Sequence, residues 1–365
     1  MAPSATQYVA LPRDPDELEN LFNHRLSQLP KIPIDLSQQN LTIFEILAAE
    51  PRATNFLRHL ASHQHLADTL KSTTDGEYTA FVAVDDGWTG EDHGRSATET
   101  MFSLHITPHY YDTDSLPSWT NVPTILRTAS SHRAVLNITF DSSALRVNGS
   151  RIIKANIRAK NGMVHLIEKP CLALPDLRSV LKSGADLSYM AQVIALAGDI
   201  ISKEEAQTIL APSDDAFRTL GEDVLTFLFH SDEGPPYLNA LLKLHILPKV
   251  TVLSNLIFPK NDTGHRIASS DVLKPIKGTV QSAFDTLLKA KDGKYIPMDL
   301  TFYRYSGLVA MKVGEAATVV VPDASASNGS LHVIDTVLLP QRISSETGVK
   351  ALSVDELKAV LCDYV

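Results

Sequence analysis

Histidine is the side chain best suited to moving a proton near neutral pH, and four histidines of this 365-residue chain occur in matched pairs. His105 sits in Leu104-His105-Ile106-Thr107-Pro108 and His245 in Leu244-His245-Ile246-Leu247-Pro248. Both lie in apolar runs, Met101 to Ile106 and Leu241 to Leu247, so a buried, neutral imidazole bonded to backbone and tying helix to sheet is expected. Their recurrence at one place in two contexts favours architecture over catalysis. His165 and His332 lie on strands, where alternation sets them opposite Val164 and Leu166, or Leu331 and Val333, with partial exposure expected.

A denser group of polar and aromatic residues comprises His105, His109, Tyr110, Tyr111 and Asp112, with Trp88 and His93 nearby in sequence. The stretch Gly87 to Arg95 reads as a loop. With Trp88, His93 and Arg95 it could line a small-molecule pocket, in which His105, His109, Tyr110 and Tyr111 are the candidates for acid–base work. An ordinary exposed loop is the competing reading. His245 is a further binding candidate, in the second half of the chain. Asp85-Asp86 and Asp214-Asp215 follow strands and begin helical segments, where an acid accepts hydrogen bonds from free backbone N–H groups. A calcium site would need further carboxylates at regular spacing. No Gly-x-Ser-x-Gly elbow, P-loop, dinucleotide fingerprint or CxxC pair occurs, so the motifs name no reaction and no metal or cofactor is expected.

Composition narrows the class. Hydrophobic residues make up 44% and charged residues 21%, the profile of a globular chain, and no apolar run approaches the length of a membrane span. The formal net charge of −9, with Lys and Arg scattered among acids, argues against a nucleic-acid partner. Asn40, Asn137, Asn148, Asn261 and Asn328 each open an N-x-[ST] sequon, and five together favour a secretory, glycosylated protein. The N-terminus shows no signal-peptide pattern; removal of the signal is the expectation. Cys171 and Cys362 could pair or remain separate thiols, since pairing depends on geometry.

The elements that would hold these residues are duplicated. Ala80-Phe81-Val82-Ala83-Val84-Asp85-Asp86-Gly87-Trp88 has the layout of Ile209-Leu210-Ala211-Pro212-Ser213-Asp214-Asp215-Ala216-Phe217. The two His-x-x-Pro boxes follow, and then Asn161-Gly162 through Glu168 is echoed by Asn328-Gly329 through Asp335. Asn-Gly marks a turn in each copy. The second copy is longer, and its extra segments Phe258 to Pro275 and Leu288 to Pro297 read as surface loops. Ile43 to about Leu70 is helical with a break at Pro51, whereas Val135–Phe140, Leu145–Val147, Ile152-Ile153, Val164–Ile167, Leu308–Val313 and Thr318–Val321 read as strands. Helices followed by antiparallel strands make an α+β unit. The resulting division is an N-terminal arm (1–35) lying on the first domain, a first domain (36–175), a second domain (176–341) and a tail (342–365). In the tail, the Ser353-x-x-Glu356 box begins a short helix that packs back on a domain, where a Cys171–Cys362 bridge could pin it.

A strand ending in A-P-x-x-x-A-F, a histidine box ending in Pro, and N-G-x-x-H-x-I-D-x-V-L-x-P together resemble the fasciclin (FAS1) domain. The second copy carries them as Leu210 to Phe217, His245 and Asn328 to Pro340. The first is eroded, with Gly87-Trp88 in place of Ala-Phe and Glu168-Lys169-Pro170 in place of Asp-x-Val. The layout is similar to that of tandem-FAS1 secreted proteins of filamentous fungi. The resemblance implies two wedges of twisted β-sheets flanked by helices, an extracellular setting, and binding or adhesion to a cell-surface or matrix component. A tyrosine that precedes the histidine in many animal members is replaced by Leu104 and Leu244. The alternative implied is an accessory protein, or a cyclase- or lyase-like enzyme, of a polyketide pathway that holds a small aromatic metabolite in the first domain. A purely structural wall glycoprotein is the third reading.

Overall fold

Two seven-stranded sheets with one strand order carry the chain. The computed structural model describes residues 11–88, 98–118, 120–128, 132–140, 144–172, 174–202, 206–255, 257–259, 277–340 and 352–365. The first sheet is built from β1 (Tyr78–Ala83), β2 (Ile106–Thr107), β3 (Asn121–Arg127), β4 (Arg133–Phe140), β5 (Leu145–Val147), β6 (Ser150–Ala159) and β7 (Gly162–Ile167). The second uses β8 (Gln207–Pro212), β9 (Ile246–Pro248), β12 (Gly278–Lys289), β13 (Tyr295–Tyr305), β14 (Leu308–Val313), β15 (Ala317–Ala326) and β16 (Gly329–Ile334), while β10 (Val250–Val252) and β11 (Ile257–Pro259) pair separately. The order β2-β1-β7-β6-β5-β4-β3 matches β9-β8-β16-β15-β14-β13-β12 strand for strand. In each, the strand before the acidic pair runs parallel to the strand after the Asn-Gly turn, with Tyr78 opposite Gly162 and Gln207 opposite Gly329. Those central strands are buried along nearly their whole length, which is why they read as continuous apolar runs rather than alternating ones. The outer strand β12 alternates, as an edge ribbon with one wet face does.

Helices cover each sheet. Around the first lie α2 (Ile43–Ala49), α3 (Thr54–Ala61), α4 (Gln64–Lys71) and α5 (Glu99–Leu104). Around the second lie α6 (Leu177–Ser183), α7 (Ser188–Leu196), α8 (Asp214–Arg218), α9 (Glu222–His230) and α10 (Gly234–Leu244). The break at Pro51 is present, and a second one separates α3 from α4 where the His63 N–H turns back to the Leu60 carbonyl (2.9 Å). Each domain has its own core, the first around Phe56, Phe81, Phe102 and Leu166, the second around Leu210, Phe217, Phe302 and Leu331. The expected α+β architecture, two copies of one sheet-and-helix domain, is the fold observed.

Three expectations about the periphery need correction, and the open question of the cysteines is answered. The N-terminal helix α1 (Pro15–Gln28) does not lie on the first domain alone: Leu18 and Phe22 pack against Leu308, Tyr303 and Tyr305 of the second, with Phe140 of the first alongside. Phe22 meets Tyr305 and Phe140 edge-on at 5.5 and 5.9 Å, so the seam between β13 and β4 gives its ring an aromatic wall on each side. The chain then returns to the first domain, where the Asp35 N–H donates to the Asn156 carbonyl (2.8 Å). Leu288 to Pro297 is not a loop but a lengthened hairpin: β12 and β13 continue to Lys289 and Tyr295 and close through Ala290 N–H to Lys294 O (2.8 Å). Phe258 and Pro259 belong to β11, and residues 260–276 lie outside the described set. Cys171 and Cys362 are free thiols, the former buried in the first domain, the latter exposed at the end of α11 (Val354–Leu361). That helix docks on the second domain through Leu357 and Leu361, after the expected Ser353/Glu356 capping box.

Candidate functional site

The helix that leads into each histidine box ends at the histidine itself. His105 follows α5 and His245 follows α10, so each ring is level with the last carbonyls of its helix, which lack intrahelical partners. His105 Nε2 accepts from the Cys171 N–H (2.9 Å), and His245 Nε2 from the Leu338 N–H (3.0 Å). A backbone N–H can only donate, so the proton sits on Nδ1, which donates to Met101 O and Leu241 O respectively, both at 2.8 Å. Both nitrogens of both rings are thus committed to the backbone. Burial without a nearby acid pushes each imidazole down to about 4, neutral at any ordinary pH.

The strand histidines differ from the expectation of partial exposure, because β7 and β16 are covered on both faces. His165 and His332 are fully buried and carry the opposite tautomer. Each Nδ1 accepts a backbone N–H, from Asn156 (3.3 Å) and Asp323 (3.2 Å). Each Nε2 donates to a carbonyl, of Tyr111 (2.9 Å) and Val252 (2.8 Å). The donors Asn156 and Asp323 sit in bulges with φ of 59° and 64°, a left-handed conformation that Asn and Asp tolerate better than other side chains do.

The remaining paired residues are structural too. Asn161 and Asn328 do more than turn the chain: their amides are buried, and Oδ1 accepts from the first helical N–H of α2 (Ile43, 2.8 Å) and α6 (Leu177, 2.9 Å). Asp85 accepts from the Thr54 and Asn55 N–H groups at the start of α3, and Asp214 from the Tyr189 N–H and Ser188 hydroxyl at the start of α7. The acids therefore cap a neighbouring helix rather than the one they begin.

The candidates grouped by sequence do not form one pocket. Trp88 lies beyond the C-terminal end of β1, stacked on His59 (5.6 Å) near Phe102. His109 and Tyr111 lie at the other end, where Thr79 Oγ1 donates to His109 O (2.8 Å) and accepts from the Tyr111 N–H (2.9 Å). Tyr111 is buried, and burial raises its phenol well above the usual range. His109 and Tyr110 are half-buried; burial lowers the imidazole, assisted by Arg133, and Arg158 stacks over the Tyr110 ring at 4.8 Å. His93 and Arg95 lie outside the described residues. The sequence reading does not single out His59, on α3, and His63, in the break before α4, whose rings both face Phe102. No group of three or more His, Cys, Asp or Glu suited to a metal ion occurs among the described residues.

The sequons divide by geometry. Asn40 and Asn148 are exposed, whereas the Asn137 amide is half-buried and donates to Thr120 O (3.2 Å). Asn328 is 2% exposed with its amide nitrogen donating to Ser202 O (2.6 Å), so it is corrected from glycan acceptor to helix anchor. Asn261 lies outside the described residues.

Comparison with known proteins follows the same duplication. The fasciclin-domain family model matches residues 51–173 and 185–340. "Aurofusarin biosynthesis cluster protein S" of Gibberella zeae is 25% identical over 366 residues, spanning 90% of this chain and 87% of that protein. "Fasciclin-1" of Schistocerca americana is 24% identical over 72% of this chain and 40% of its own length. "Transforming growth factor-beta-induced protein ig-h3" of Sus scrofa is 24% identical over 55% of this chain and 25% of its own length. Two matched segments, two sheets of one topology and two copies of one histidine framework agree: the chain belongs to the fasciclin-domain family, as a tandem pair of FAS1 domains.

Proposed function

We propose that this chain is a non-catalytic binding protein of a secondary-metabolite pathway, working along the secretory route and holding an aromatic metabolite for the enzymes that transform it. The observation that carries the binding half is the commitment of His105, His165, His245 and His332 to backbone partners, which leaves the duplicated residues no proton to trade. The pathway half is supported by end-to-end similarity to a biosynthesis-cluster protein, whereas the relatives with other names match over less than half their own length. Exposed sequons at Asn40 and Asn148 support the secretory setting. Adhesion to a cell-surface or matrix component is the second reading, favoured by the 72% of this chain that aligns with Fasciclin-1.

Disruption of the coding sequence in the producing organism, followed by metabolite profiling of cells and medium, tests the proposal. It predicts accumulation of an aromatic precursor and loss of a later product. An unchanged profile together with impaired attachment of cells would favour adhesion instead.

A further inference from the structure

A cavity of about 390 Å³ opens between the returning N-terminal segment and the β5–β6 hairpin of the first domain. Its size falls within the roughly 300–1,000 Å³ typical of small-molecule sites. One wall is Leu29, Pro30 and Ile32; the facing wall is Leu145, Ile152 and Ile153. The first wall is held by hydrogen bonds rather than by chance proximity: Asn156 Nδ2 donates to Ile32 O (2.6 Å), and Asp35 is bonded to β6 through Asn156 O and the Arg158 N–H. Ile32 and Ile153 nevertheless remain 37% and 41% exposed across the opening, apolar surface that folding alone leaves wet.

Two polar side chains line the same cavity, and both are donors. Arg151 is exposed at the rim and forms no ion pair among the described residues. Thr113 is 9% exposed; its oxygen accepts from Asn156 Nδ2 (2.6 Å), and its hydroxyl proton meets no acceptor among the described residues. Among the described residues, no carboxylate or amide side chain lines the space. Apolar walls with a guanidinium and a free hydroxyl proton favour a ligand that is flat or apolar in body and brings acceptors, preferably anionic ones.

We infer that this cavity binds an aromatic metabolite bearing a carboxylate or acidic phenol, with its oxygens toward Arg151 and Thr113 and its rings between Ile32, Ile152 and Ile153. The inference rests on the binding function proposed above and places it at one site, away from Trp88 and His109. Calorimetric titration of the full chain with 1-naphthoic acid tests it, with neutral 1-naphthalenemethanol and decanoic acid as comparison ligands. Saturable 1:1 binding of the naphthoate, weaker binding of both others, and a loss of about tenfold in Arg151→Ala are expected. Ile153→Trp, which fills the mouth without touching a charge, abolishes binding while the thermal unfolding midpoint stays put. No binding, equal binding in both variants, or tighter binding of decanoate overturns the inference. The two failures are separable: a changed metabolite profile on disruption with no naphthoate binding removes the site and keeps the pathway role. Arg151-dependent binding with an unchanged profile keeps the site and removes the role.

Discussion

The two domains use one left-handed residue in the same bulge for different ends. In the first it is Asn156, whose backbone serves His165 and whose side chain ties down the returning arm through Ile32 and reaches Thr113. In the second it is Asp323, whose backbone serves His332 but whose buried carboxylate accepts from the Ser254 N–H (2.7 Å) and from Asn121 Nδ2 of the first domain (2.9 Å). Asn255 completes that clasp by donating to Asn121 O (2.8 Å). Backbone duty fixes what the position must be, while the free end of the side chain remains available for contacts outside its own domain. The same division separates the histidines, identical in role in both copies, from the cavity residue Arg151; Thr113 has a counterpart in Ser254, whose N–H likewise donates to the side chain of the bulge residue.

The most severe way to break the shared framework is a methyl group at the Asn-Gly turns. A Cβ on Gly162 or Gly329 would meet Tyr78 O or Gln207 O at 1.8 Å, at φ near 150°. Gly162→Ala and Gly329→Ala are each expected to cost about 4 kcal/mol or more in urea unfolding, since parallel strands must part. Equal losses in the two domains would show the frame to be equivalent. Next come His105→Ala and His245→Ala, each leaving a buried carbonyl and N–H unpaired beside a cavity, with an expected cost of about 3 kcal/mol. Asp323→Ala should cost about 2 kcal/mol and split one calorimetric transition into two, because the first domain loses its hold on the second. Asn156→Ala should instead loosen the arm and release the Thr113 N–H, read as faster amide exchange over residues 30–36 and at Thr113, with the single calorimetric transition kept.

Acid sharpens the comparison further. His105, His165 and His245 hold values of about 4 in the folded chain against an ordinary 6.5. The unfolded chain takes up protons below 6.5 that the folded chain refuses until about 4. Their stabilisation is therefore complete above that window and lost as pH falls through it. His245→Asn should flatten the pH slope of the second domain while leaving that of the first unchanged. At the small end, Cys362→Ser is expected to shift stability by less than about 0.5 kcal/mol, and one thiol per folded chain should react with Ellman's reagent.

Much of this architecture was legible because duplication doubles every signal: two acidic pairs, two His-x-x-Pro boxes and two Asn-Gly turns located the sheets, though the central pair of each runs parallel where antiparallel strands were expected. The burial of His105 and His245 followed from the apolar runs around them. That of His165 and His332 did not, because strand alternation says nothing about a second covered face. The course of the arm was hidden for a related reason, since Leu18 and Phe22 mark an apolar face without naming its partner. Trp88 and His109 were grouped by closeness in sequence, yet a strand separates them. Arg151 and Thr113 carry no motif and become notable only where the returning arm closes a cavity over them.

The proposal at the centre is that the chain holds an aromatic metabolite without transforming it. It is tested most directly by complementing a disrupted strain with a variant lacking the two half-buried candidates, His109→Ala with Tyr110→Phe, once its unfolding midpoint is shown to be native. The account predicts a metabolite profile indistinguishable from that restored by the unaltered chain. A folded variant that fails to restore the profile would contradict it and return proton transfer to the first domain.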